Sequence, residues 1–143
     1  MKEPTQAVFN LENYKVKEFW YIDPKEEKSS VSLEFSPTGA YLPQEGKYIL
    51  TLEMVVFYKD KEDTKDRIDT KFLKIITESF FVFHTKPTLE ELPSYFYQNA
   101  IAIVFPYVRA FATTLTAVGN IKPLILPLMN LTSLGEILKA NTV

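Results

Sequence analysis

The hydrophobic period of this chain changes once, near Ser94, and that change constrains the fold more than any other feature. Upstream, apolar residues alternate with polar ones in VSLEF (Val31, Leu33, Phe35) and in YILTLEMVVFY at 48–58. A period of two is the mark of a half-buried strand. A third run, FLKIITESFFVFHT at 72–85, alternates until FFVF, where both faces become apolar and both need cover. Downstream, Val104, Val108, Phe111, Leu115 and Val118 recur at steps of four and three, which lays them along one stripe of a helix. Strands first and helix after predict an α+β fold.

The connections are read from proline, glycine and charge. Pro37, Gly39, Pro43 and Gly46 crowd the 36–46 segment, so the chain is expected to turn or cross over there rather than pair, which leaves Tyr41 and Leu42 on a loop. The mixed-sign run KDKEDTKDRID at 59–69 suits a solvated hairpin end. Thr88 and Glu91 stand at capping-box spacing, but Pro93 limits the helix they open to a single turn.

Gly119 and Asn120 end the long helix. Within it, Pro106 has no N–H for the carbonyl of Ala102, so it either kinks the helix or opens its second half. The stretch from Ala100 to Phe105 is apolar on every side, more than one sheet can cover, and this suggests a second subunit. In IKPLILPLMNLTSLGEIL, Pro123 and Pro127 keep Leu124, Leu126 and Leu128 on a loop, and a last amphipathic helix is expected from Ser133, at capping-box spacing from Glu136.

Composition removes whole classes of function. With 143 residues the default is one domain spanning 1–143, and 46% hydrophobic with 14% aromatic residues is too rich for disorder. A net charge of −2 gives no basic field, so no nucleic-acid partner is expected. There is no cysteine and a single histidine, His84, so neither a metal site nor a cofactor is expected. The apolar run AIAIVFPYV stops at Arg109, short of the roughly 20 residues of a spanning helix, and the N-terminus lacks the apolar core of a secretory signal. A cytoplasmic chain without membrane insertion is the expectation.

Catalytic groups are equally sparse. No G-x-S-x-G elbow and no glycine-rich phosphate loop occur, and the adjacent Glu90 and Glu91 diverge on a helix. The chain is therefore not expected to be an enzyme; the rival reading is a carrier of a small hydrophobic ligand, or an enzyme, using a pocket near His84. What stands out instead is excess apolar surface. Between Ala100 and Val143 the only charged residues are Arg109, Lys122, Glu136 and Lys139. Exposed apolar area of this kind marks a binding surface.

The segment AIVFPYVRAFATTLTAVGNIKPLILPLMNLTSLGEIL resembles the region by which SecB-type protein-export chaperones are recognised: an apolar pair, F-P-Y-x-R, a helix ending in glycine, a Pro/Leu-rich loop and a terminal amphipathic helix. Phe105, Pro106, Tyr107 and Arg109 match the first part, and Gly119, Leu124, Leu126 and Asn130 match the later parts. The likeness covers about residues 7–139, with 31–35 similar to the second family strand, 36–46 to its crossover loop and 48–58 to its third strand.

The resemblance implies a four-stranded antiparallel sheet with a long kinked helix and a short C-terminal helix, assembled as a homotetramer that is a dimer of dimers. It implies an ATP-independent holdase that keeps unfolded or precursor polypeptides in apolar grooves. On that basis the client surface is expected on Phe35, Tyr41, Leu42, Phe80, Phe83, Leu124, Leu126, Leu128, Leu131 and Leu134. The oligomer interface is expected on Phe105, Tyr107, Val108, Phe111 and Leu115. Ile22 and Ile75 stand where relatives offer acids to the motor SecA, leaving Glu18 and Asp23 as the candidates for motor docking, so SecA binding is expected to be weak or absent. A dedicated client, such as a toxin–antitoxin pair, then becomes an alternative to general export.

Overall fold

The structure is a computed structural model that describes residues 8–23, 31–58, 71–119 and 130–143. The charged run 59–69 and the loop leucines Leu124, Leu126 and Leu128 lie outside the described residues. The chain runs β1 (Phe9–Tyr21), β2 (Val31–Leu42), β3 (Lys47–Tyr58), β4 (Lys71–Phe83), a 3-10 turn at Leu89–Glu91, α1 (Ser94–Val118) and α2 (Leu131–Ala140). The four strands form one antiparallel sheet in the order β1-β4-β3-β2. The α+β expectation holds.

Period two places the core. Tyr48, Leu50, Leu52, Met54 and Val56 of β3 are all buried on one face, opposite Phe81, Ser79, Thr77, Ile75 and Leu73 of β4. The helices lie on this face. At FFVF the two faces are treated differently: Phe81 and Phe83 are buried, whereas Phe80 is half-buried on the opposite face with the Lys15 ammonium 5.6 Å from its ring centroid. The cover on that face includes a lysine side chain, whose methylenes can shield a ring while its charge stays wet.

β1 shows no clean alternation in the sequence because its register shifts twice, between Leu11 and Asn13 and between Val16 and Glu18. Phe9, Leu11, Tyr14, Val16 and Tyr21 still pack against the core, the first bulge stretching the step from Leu11 to Tyr14 to three.

β2 corrects the reading of 36–46 as a loop. The strand continues through Pro37 and Gly39 to Leu42, which pairs with Lys47, and only residues 43–46 turn. Tyr41 and Leu42 are therefore strand residues. Pro37 is tolerated because β2 is an edge and the N–H groups of its odd-numbered neighbours Gly39 and Tyr41 point away from β3, to residues 141–143. Gly39 is required because a Cβ there would overlap the Tyr48 hydroxyl. Gly46 closes the turn at φ 64, a conformation that favours glycine.

α1 runs for 25 residues and includes Pro106 in its interior. Thr88 bonds the Glu91 carboxylate through its side chain (2.9 Å) at the preceding 3-10 turn. α2 begins at Leu131, two residues before the expected Ser133: Asn130 is the cap, its Oδ1 accepting from the Ser133 N–H at 3.2 Å. α2 then crosses α1 closely, with the site of a Cβ on Gly135 only 3.0 Å from Gln98 Cα, and buries Leu134 and Leu138. Beyond α2 the chain returns to β2 as an added parallel bridge, Gly39 to Thr142.

Candidate functional site

α1 divides its residues between two environments. Toward the sheet it buries Phe96, Tyr97, Ala100, Ile101, Val104, Phe105, Val108, Ala112 and Thr116. Its aromatic rings reach across the whole sheet. Phe96 sits among Phe9, Phe81, Phe83 and Tyr48 at 4.7–5.8 Å. Phe105 meets Phe35 of β2 at 5.7 Å, while Tyr107 stacks on Tyr14 of β1 at 5.0 Å and Phe111 meets Phe19 of β1 at 5.2 Å.

Away from the sheet, Tyr95 (51% exposed), Ile103 (38%) and Val118 (80%) are open, with Pro106, Ala110 and Ala117 exposed between them, and Tyr107 (49%) borders this stripe with one ring face on Tyr14 and the other open. The one charge on the helix, Arg109, is turned over the Phe105 ring at 5.3 Å. The result is a nearly uncharged outward stripe along a 25-residue helix. By length and composition this helix would reach across a bilayer, which the sequence run ending at Arg109 did not suggest; in the fold its other side is filled by the sheet aromatics.

The expected client residues divide between the two sheet faces. Phe35, Tyr41 and Phe83 are on the helix side, where Phe83 is in the core and the buried Tyr41 donates through its hydroxyl to the Pro87 carbonyl at 2.5 Å. Leu134 is buried and Leu131 half-buried on α2. Leu42 and Phe80 lie on the opposite face, Leu42 exposed and Phe80 half-buried.

Of the expected interface residues, Phe105 and Val108 are buried within the chain itself, and Phe111 and Leu115 are half-buried against its core. Only Tyr107 is exposed, at the border of the outward stripe. The sequence stripe was right in period, but all of it except the exposed Val118 marks the inward face, because a 3.6-residue period does not say which side meets the sheet.

Glu18 and Asp23 are exposed, as is Ile22. Ile75 is a correction: it is fully buried on the helix face, paired with Met54, so it is a core residue and not a replaced acid of the outer surface. A one-residue difference in register decides this, since neighbours on a strand face opposite ways. Its outward neighbours are Lys74, bridged to Glu53 at 3.7 Å, and Ile76. Further along the same face Glu78 pairs with both Lys15 and Lys17, at 3.4 and 3.5 Å.

Acid–base chemistry finds little here. Burial pushes the phenols of Tyr14, Tyr41, Tyr48 and Tyr97 above their ordinary range, so they stay protonated. His84 is exposed and its Nε2 lies 3.0 Å from the Asn10 amide nitrogen. Among the described residues no group of three or more His, Asp or Glu could hold a metal ion.

This fold is similar to that of the SecB-like chaperone Rv1957 of Mycobacterium tuberculosis, solved in complex with a ChAD peptide from the HigA1 antitoxin. The two chains superpose with a TM-score of 0.68 at 18% identity, over 86% of this chain and 88% of that one. The fold is SecB-like. An uncharacterized protein of Methanocaldococcus jannaschii is 27% identical over 150 aligned positions, covering 99% of this chain and 94% of its own. No family model matches the sequence. Low identity at this degree of superposition describes a divergent SecB-like chain.

What the sequence missed is the joint between β2 and the C-terminal segment. Tyr48 and Thr142 meet across 94 positions of sequence, and nothing local announces such a contact. The only signal was Gly39, a glycine in a strand, which marks close approach of another group.

Proposed function

We propose that this chain is a nucleotide-independent holdase chaperone that binds unfolded or precursor polypeptides and works as a homo-oligomer. The observation that carries the reading is the outward stripe of α1, from Tyr95 through Ile103 to Val118 with Tyr107 at its border, on a SecB-like fold. A monomer gains nothing by holding this much apolar surface in water at about 25 cal/mol per Å². A second copy laid along the stripe would remove it, in keeping with the tetramer that the resemblance implies. Phe35, Leu42, Phe80, Leu131 and, from the sequence, Leu124, Leu126 and Leu128 would then supply client contacts, each weak and summed along an extended chain.

A dedicated client is the second reading. The neighbour Rv1957 was solved with an antitoxin peptide bound, which makes an antitoxin segment a reasonable client class here as well. With Ile75 in the core, the case against general export through SecA rests on Ile22 alone, and Glu18 and Asp23 remain the candidate docking acids. Cytoplasmic operation accords with this function. The rival with a pocket near His84 is less favoured, since that imidazole is exposed and faces an amide.

The test is suppression of aggregation. Excess protein, without nucleotide, should slow the aggregation of several chemically unfolded proteins. If it slows none of them, and no polypeptide co-purifies with it, the chaperone reading fails.

A further inference from the structure

The sheet has two edges, β1 and β2, and an unpaired edge is a template on which another sheet can join. β1 carries its own protection, two register shifts that bend and twist it. β2 has no such shift from Val31 to Leu42. Its odd-numbered residues turn their backbone groups away from β3, because successive residues of an antiparallel strand point these groups to opposite sides. Part of that outward row is taken by the segment behind α2. The Pro37 carbonyl accepts from the Asn141 side-chain amide (3.5 Å), and the Gly39 N–H donates to the Asn141 carbonyl (3.2 Å). The Gly39 carbonyl then accepts from the Val143 N–H (3.0 Å), and the Tyr41 N–H donates to the Val143 carbonyl (2.9 Å). From Pro37 to Tyr41 the outward groups are matched one after another.

The matching segment is also held from inside the core. The Tyr48 hydroxyl reaches past Gly39, where a Cβ would overlap it, to Thr142 Oγ1 at 2.6 Å. A glycine of β2 and a tyrosine of β3 both serve to keep residues 141–143 on the edge.

We propose that residues 141–143 are an edge guard, and that the partner they exclude is the β2 edge of a second copy of this chain. The proposal uses neither the chaperone reading nor the outward stripe of α1. The occupant follows from the geometry of β2 itself. With the guard in place the open outward row covers residues 31–35, about 16 Å at roughly 3.3 Å per residue. Without it the row covers 31–41, about 36 Å on the same rise, and it becomes self-complementary. Two antiparallel copies related by a two-fold axis at Ser36 would set Val31 opposite Tyr41, Leu33 opposite Gly39 and Phe35 opposite Pro37. All six are odd-numbered, so each pair presents its backbone groups to the other. Pro37 withdraws one N–H from each copy and leaves the remaining pairs whole.

The test compares the full chain with shortened and substituted forms by sedimentation over a range of concentrations, with hydrogen exchange read at the β2 amides. A chain shortened to residues 1–140 should form species of about twice the parent mass or more, since one isologous contact doubles an assembly. Its Leu33 and Gly39 amides should become protected as concentration rises. Leu33→Pro in the shortened chain removes an outward N–H and should return it to the parent mass. That substitution also removes a packed side chain, so the suppression cannot come from a firmer fold. In the full chain Leu33→Pro should leave the mass unchanged; a fall would mean that the edge is already joined, and overturns the guard. If the shortened chain loses its helical signal, Val143→Pro decides in its place, because it withdraws one N–H from the guard and leaves Thr142 on Tyr48. It should show the same association in weaker form, again suppressed by Leu33→Pro. A folded, unguarded chain that keeps the parent mass at every concentration overturns the proposal. Association that Leu33→Pro fails to suppress places the contact elsewhere, and overturns it as well.

Discussion

The Tyr48 hydroxyl lies 2.6 Å from Thr142 Oγ1, and Thr142 Oγ1 is also 2.6 Å from the Leu138 carbonyl. A core residue of β3 thus passes over Gly39 of the edge strand to hold the last turn of α2 and the segment behind it. Three parts of the chain, 39, 48 and 138–143, are tied at one point.

Breaking that point should have graded effects. Tyr48→Phe removes the hydroxyl and should cost about 1 kcal/mol, the usual value of one hydrogen bond. Gly39→Ala should cost more, about 1–3 kcal/mol, because its Cβ meets the Tyr48 ring and hydroxyl and neither can leave without moving the core. The double variant should fall short of the sum, since loss of the hydroxyl relieves part of the clash. Denaturant unfolding of the four proteins measures this; strict additivity would mean that the two sites do not touch.

Alkaline pH should weaken the fold through the same tyrosine. Burial holds the Tyr48 phenol well above its ordinary 10.0, against a smaller opposing effect of the Thr142 bond. A group that ionises less readily when folded leaves stability intact below pH 10 and withdraws it above, where the unfolded chain releases the proton and the folded one keeps it. Stability followed from pH 9 to 11 should fall less steeply in Tyr48→Phe than in the parent. Equal slopes would assign the alkaline loss to other groups.

The two faces of α1 should respond differently to one charge. Ile103→Glu places it on the outward stripe and should produce smaller species in sedimentation with the helical signal retained. Val108→Glu places it under the sheet and should unfold the chain, because an unpaired buried carboxylate costs several kcal/mol. A parent protein that sediments as a monomer at micromolar concentration would remove the oligomer from the proposed function.

On β4, Ile75→Glu should destabilise by about 3 kcal/mol or more, as a charge driven into the core against Met54. Ile76→Glu, one residue on, faces outward beside Glu53 and should cost less than about 1 kcal/mol. If SecA affinity depends on outer-sheet acidity, titration should show it rising in the Ile76 variant. Comparable stability losses at both positions would contradict the register of β4.

Removing the cap of α2 by Asn130→Ala should cost about 1 kcal/mol, because the Ser133 N–H loses its acceptor. Since α2 carries the tail to β2, exchange of the Gly39 and Tyr41 amides should accelerate in the same variant. Unchanged exchange there would mean that the tail holds to β2 independently of the helix.

By itself the sequence determined whatever depends on a repeated local choice. Alternation in 48–58 and 72–85 gave β3 and β4, and the change of period near Ser94 gave α1, because a strand and a helix each expose a regular face that must be buried. The F-P-Y-x-R pattern pointed to the SecB-like fold by resemblance to a family and not by its period. Tertiary structure decided the rest. β1 was obscured by two bulges, whose extra residues make sense only against β4. Pro37 and Gly39 looked like a loop because their tolerance comes from an edge position and from the ring of Tyr48, neither of which is local. The stripe on α1 could not say which side meets the sheet, and one residue of register put Ile75 in the core. In each case the deciding partner is far away in sequence, and a period carries no information about a partner it does not contain.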